Sequence, residues 1–179
     1  FPGIDRTQFA EQVLAIKKKY LLNEDYAKLN MKELMQGIGE ENMQQFKCET
    51  MASVWIENTG SGKFKAHELP LAAQFAPVNA IVATDADGDG NIDLLLAGNE
   101  YQAEIGAGRY DAGYGQLLKN DGKQNFISVT PLQSGFIAEG DVKNLKHITT
   151  KNNEQLILAA FNDNVLRCFK INAAKGNRK

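Results

Sequence analysis

The sequence predicts a mainly β protein with an N-terminal helical segment. Three observations carry that fold class. Before residue 46, apolar residues recur at three- to four-residue spacing. After Thr50 the apolar runs shorten, and Gly, Asn and Asp clusters that close hairpins separate them. One cluster, residues 85–93, reads D-A-D-G-D-G-N-I-D, which holds more acid than an ordinary turn needs.

The elements follow in order. Phe9, Val13, Ile16 and Tyr20 mark the apolar face of a first helix, with Asp5 or Thr7 as its cap. Lys17, Lys18 and Lys19 read as its solvated side. Asn23 suits the N-cap of a second helix carrying Tyr26, Leu29, Leu34 and Met35, which Gly37 and Gly39 end. A short third turn is expected over 40–45. Strands are then expected at 51–58 and 63–69, at 80–84 and 92–97 around the acidic loop, and at 114–119 and 126–130. Three more are expected at 144–149, 156–161 and 166–171. The expected organisation is a helical appendage over 1–45, a β-repeat region over 46–172 and a disordered tail over 173–179.

Two hairpins resemble each other. S-V-W-I-E-N-T-G-S-G-K-F at 53–64 matches G-Q-L-L-K-N-D-G-K-Q-N-F at 115–126. The offset is the size of a β-repeat unit and points to partial β-propeller-type blades of short antiparallel strands.

Composition excludes several classes. The net charge of −2 argues against a nucleic-acid surface. No apolar stretch approaches the ~18 residues of a membrane span. The chain starts at Phe1, so it reads as a processed or truncated product, and the lack of a signal peptide says nothing of secretion. Cys48 and Cys168 have no metal-type spacing and read as buried thiols, with a disulfide as the alternative.

The acidic loop carries the chemistry. Asp85, Asp87 and Asp89 alternate, so their carboxylates converge on one centre, and Gly90 permits the tight turn. Asn91 is expected to add its backbone carbonyl, Asp93 to close the site, and Ile92 to anchor the loop in the core. Acids this close repel one another without a cation. Calcium tolerates such irregular oxygen sets, whereas magnesium demands a near-ideal octahedron. An EF-hand is excluded, because the twelfth position is Leu96 and strands flank the loop.

Enzyme motifs fail. G-S-G-K-F at 60–64 lacks the first glycine and the Ser/Thr of a phosphate loop. G-A-G-R-Y-D at 106–111 lacks the third glycine of a dinucleotide fingerprint. His67 and His147 have no partner at ligand spacing and read as surface or half-buried packing. The segment 101–115 stays open. Tyr101, Arg109, Tyr110, Asp111 and Tyr114 form a candidate ligand surface, for example for sugar. The alternative is an inter-strand loop in which Arg109 pairs with Asp111 or Glu104 and the tyrosines pack.

These residues resemble the FG-GAP/VCBS repeats, the calcium-binding blades of integrin-like β-propellers. D-A-D-G-D-G-N-I-D-L-L-L is similar to that family's calcium loop and following strand. I-E-N-T-G-S-G-K-F, L-P-L-A-A-Q-F-A-P, L-L-A-G-N-E-Y, G-R-Y-D-A-G-Y-G and S-G-F-I-A-E-G-D-V resemble the C-terminal segment of bacterial secreted or surface members. The likeness runs from about residue 46 to 142. K-N-N-E-Q stands where a second calcium loop would fall, so no metal is expected there. One complete repeat and two partial ones cannot close a propeller, so the chain reads either as a fragment of a larger one, which the resemblance implies, or as an atypical small β assembly.

The expectation is therefore a non-enzymatic, calcium-stabilised module for binding or scaffolding. It is expected at the cell surface, in the periplasm or outside the cell, with metal ligands Asp85, Asp87, Asp89, Asn91 and Asp93. Its partners would be further blades of a parent chain, or a protein or glycan ligand, with neither nucleic acid nor membrane insertion. The alternative is an accessory or catalytic part of a secreted polysaccharide-degrading enzyme.

Overall fold

The computed structural model describes residues 3–39, 44 and 46–172. The chain divides into two compact units, Phe1–Glu49 and Thr50–Lys179, so the boundary falls just past the expected one. The turn expected over 40–45, apart from Gln44, and the tail at 173–179 lie outside the described residues.

The first unit is built from four short helices: α1 (Arg6–Gln12), α2 (Leu14–Lys19), α3 (Asn23–Ala27) and α4 (Met31–Ile38). Asp5 caps α1, its Oδ1 accepting from Thr7 N at 2.8 Å and Gln8 N at 3.1 Å. The single helix expected across Phe9–Tyr20 is broken at Val13, whose backbone is extended with φ −124°. Ala10, Ile16, Tyr26 and Leu34 nevertheless meet in one buried cluster, with Phe9, Val13, Tyr20 and Leu29 against it. The second helix is also split. Asn23 is not its cap: the residue lies inside α3, and its Oδ1 takes Arg6 Nη1 at 3.4 Å. The cap that works is Asn30, whose side chain accepts from Glu33 N while Glu33 returns to Asn30 N. That is a capping box, which satisfies two otherwise orphaned N–H groups.

The second unit is β. A hairpin pairs β1 (Val54–Gly60) with β2 (Lys63–Glu68). A four-stranded meander follows: β3 (Val78–Thr84), β4 (Asp93–Gly98), β5 (Gln116–Asn120) and β6 (Phe126–Val129). The last sheet holds β7 (Val142–Thr149), β8 (Gln155–Phe161) and β9 (Arg167–Lys170). All pairings are antiparallel between sequence neighbours. A 3₁₀ turn at Leu71–Gln74 and a one-turn α5 at Pro131–Ser134 join the sheets.

The sheets stack face to face around the four-stranded one. On its first face Leu96 and Leu118 are buried with Leu69 and Ala73, and Leu94, Trp55 and Phe126 pack there. On its second face Ala80, Val82, Leu95 and Ala97 meet Val142, Leu145, Ile157 and Ala159 of the last sheet. Successive residues of a strand point to opposite faces. The run L-L-L-A of β4 is thus apolar throughout because both sides are covered. Gly98 ends that strand where a Cβ would lie 1.7 Å from Pro77 O, so only glycine fits the close approach.

No described helix is long and apolar enough to cross a membrane. No disulfide joins Cys48 and Cys168, and both are exposed rather than buried as expected. Cys168 is exposed on the face of β9 opposite Phe169, which packs against the core.

Candidate functional site

Residues 85–92 join β3 to β4, and the Thr84↔Asp93 pair closes their base. Gly88 and Gly90 take φ values of +83° and +94°, the left-handed region that the tight turn requires. Asp85 organises the loop: its Oδ1 accepts from Gly88 N at 2.7 Å and its Oδ2 from Gly90 N at 3.0 Å. Asp87 Oδ1 accepts from Asp89 N at 3.2 Å, and Asp89 Oδ1 from Asn91 N at 2.7 Å. Asp85, Asp87 and Asp89 each present a carboxylate oxygen, all within 4.8 Å of one another, a cluster that could hold a metal ion.

Asp93 stands outside that three-residue cluster. It is fully buried, with Oδ2 accepting from Ala86 N at 3.0 Å and Oδ1 from Asn120 N at 2.9 Å. Burial pushes its pKa up; the two N–H groups work the other way, and the charges of Asp87 and Asp89 add to the rise. Asp93 therefore ties the loop to β5. Ile92 does not anchor the loop, since it is 52 % exposed. A buried carboxylate that accepts two backbone N–H groups fixes a loop by direction, which an isoleucine beside it cannot do.

Lys119 of β5 reaches the loop and pairs with Asp87 Oδ2. That hydrogen bond is the main cause holding Asp87 below the usual carboxylate range, and it raises Lys119 in turn. Lys119 was invisible as a site residue, because the β4–β5 pairing alone brings it there. Asn120 was also read only as a turn residue. Its side chain donates to Ile92 O at 3.2 Å and accepts from Gly122 N at 3.0 Å.

The segment expected as a ligand surface is anchored at its ends. Glu100 and Tyr110 exchange backbone hydrogen bonds of 2.9 and 3.0 Å. Arg109 pairs with neither Asp111 nor Glu104; its guanidinium lies 4.8 Å from the centre of the Tyr101 ring. Tyr110 and Tyr114 are each about half exposed rather than packed, and Asp111 is exposed. Beneath the loop, Asn99 is fully buried. It donates to Gly113 O at 2.8 Å and Gly140 O at 3.0 Å and accepts from Gly113 N at 2.8 Å.

Next to this knot lies Asp141, 2 % exposed. Its Oδ2 takes Asn162 Nδ2 at 3.3 Å. Lys143 Nζ lies 2.8 Å from Oδ1 and pairs with it. Sequence reading missed Asn99 and Asp141 as buried polar residues.

Both histidines are half-buried, as expected. His67 stacks on Trp55 at 4.4 Å and lies 2.9 Å from Glu57 Oε2. His147 Nε2 lies 2.8 Å from Gln155 Oε1.

Compared with family models, with curated proteins and with solved structures, the chain matches none. The fold and site by themselves define a mainly β protein with an acidic strand–loop–strand cluster able to hold a metal ion.

Proposed function

We propose that this chain is a calcium-stabilised module of β-propeller-type blades, similar to FG-GAP/VCBS repeats, that binds or scaffolds and is not an enzyme. The repeat in strand register is the observation that carries the reading. Asn58↔Phe64, Glu57↔Lys65, Ile56↔Ala66 and Trp55↔His67 in the first hairpin correspond to Asn120↔Phe126, Lys119↔Ile127, Leu118↔Ser128 and Leu117↔Val129. In both hairpins the Asn side chain accepts from the Gly N–H two residues on, at 3.0 Å. β3–β4 and β7–β8 likewise share a register shift, between Val78 and Ala80 and between Val142 and Asn144. The β1–β2 hairpin is thus the second half of a four-stranded unit, β3–β6 a whole one, and β7–β9 the first three strands of another.

Apolar surface at the two ends supports a place among further blades. Ile56 and Phe64 are exposed on the outer face of the hairpin. Ile148, Leu156 and Leu158 line the outer face of the last sheet, the counterpart of a face that is covered in the middle one. The cation would be calcium, held by Asp85, Asp87 and Asp89, with Asn91 through its carbonyl and Asp93 in support. Millimolar calcium at a cell surface or in a secreted setting saturates even a weak site.

Thermal melts in chelator and in calcium test the metal. Calcium at a hundredfold excess over Kd adds about 2.7 kcal/mol, which raises Tm by several degrees, and Asp87→Asn removes that rise. Coincident melts, or an equal rise in the variant, would sink the calcium assignment.

A further inference from the structure

A polar cleft of about 550 Å³ opens between the 101–110 loop, the start of β7 and the β8–β9 turn. Arg109, Arg167, Asp141, Asn162, Asp163 and Asn164 line it. Its volume is that of an ordinary small-molecule site, but its lining is not the apolar one that most such ligands need.

Both guanidiniums lie over aromatic rings, Arg109 over Tyr101 at 4.8 Å and Arg167 over Phe161 at 4.7 Å. Stacking engages the face of the fork and fixes its plane, while the N–H donors along the edge remain available. Among the described residues neither Arg109 nor Arg167 has an acid partner. Acceptors stand in the same cleft: the exposed carboxylates of Asp163 and Glu139.

The charges select the ligand. A free anion meets the carboxylates of Asp163 and Glu139, and a cation meets two guanidiniums. An apolar ligand strands the polar lining, at the cost of leaving it unpaired. Hydroxyl groups both donate and accept, so a neutral polyol matches donors and acceptors together. We infer that this cleft is a binding site for a short neutral oligosaccharide, with Arg109 and Arg167 donating and Asp163 accepting. The assignment rests on the binding-module reading and gives it a ligand class.

The test is calorimetric titration of the full chain in calcium with four probes. Maltotriose, cellotriose and triacetylchitotriose are the neutral ones, and trigalacturonate is the acidic one. At least one neutral trisaccharide should bind below about 10 mM, with affinity falling about tenfold or more in both Arg167→Lys and Asp163→Asn. Arg167→Lys keeps the charge and loses the fork, and Asp163→Asn changes an exposed turn, so both variants should keep the wild-type melt. Failure of all neutral probes, preference for trigalacturonate, or unchanged affinity in both variants would overturn the assignment. A calcium-dependent rise in Tm that survives such a failure would leave the blade reading standing without this ligand.

Discussion

Asp141 is buried at the start of β7, and its charge is offset by one ammonium group, that of Lys143. Lys143 is held above its ordinary pKa by Asp141 first; burial opposes the rise, and Glu100 at 3.3 Å adds to it. A pKa raised in the folded state stabilises below the unfolded value and is lost as pH rises through the folded one. Lys143→Met should therefore lower Tm at neutral pH, and its gap from wild type should close as pH climbs past 10.5. A gap that persists in strong alkali would mean that packing of the lysine stem, not its charge, is what counts. At this scale the sequence was legible where a residue's own chemistry decides its place. Asp85, Asp87, Asp89 and Gly90 are read from spacing alone. Ile92 was misjudged because hydropathy ranks the isoleucine as the anchor, whereas two backbone N–H groups at Ala86 and Asn120 select the Asp93 carboxylate for that part.

Trp55 makes the hairpin an integral element of the β unit. It stacks on His67 and meets Phe126 edge-on at 6.1 Å, so it joins β1–β2 to the four-stranded sheet. Trp55→Ala should cost about 3 kcal/mol, read by urea denaturation with circular dichroism, because the substitution removes the chain's only tryptophan. A loss under a few tenths would mean that Leu69 and Ala73 cover Leu96 and Leu118 unaided. Strands were readable because a covered face imposes apolar residues at fixed periods. The short helices were less so. Phe9, Val13 and Ile16 keep helical spacing across a break, since the cluster they fill does not require an unbroken backbone. The capping signals at Asn30–Glu33 and Thr130–Gln133 were present in the sequence and mark the true starts of α4 and α5.

For the whole β unit, the open ends matter most. Ile56 and Phe64, at 63 % and 67 % exposed, and the outer face of β7–β9 leave apolar surface at both ends of the stack. Unlike ends of this kind favour head-to-tail association. The 179-residue chain taken alone should therefore sediment faster as its concentration rises, and Ile56→Lys with Phe64→Lys should suppress that rise. A sedimentation coefficient independent of concentration would argue that neither face takes a neighbour. The repeat offset was legible in the sequence because the hairpin turns keep the same Asn and Gly. The stacking order was not, since it depends on which face of each sheet meets the next.

The meander topology has a consequence for how the chain acquires its shape. Among the described residues, each strand pairs with a sequence neighbour. Joining the last two sheets needs the longer reach, as from Asn79 Nδ2 to Val142 O at 3.1 Å. Local pairing closes small loops first and delays the expensive closures. A chain emerging from the ribosome can thus finish the hairpin, then the four-stranded sheet, before β7 exists. Folding would proceed in the order of synthesis, each finished sheet offering the next an apolar wall to settle on.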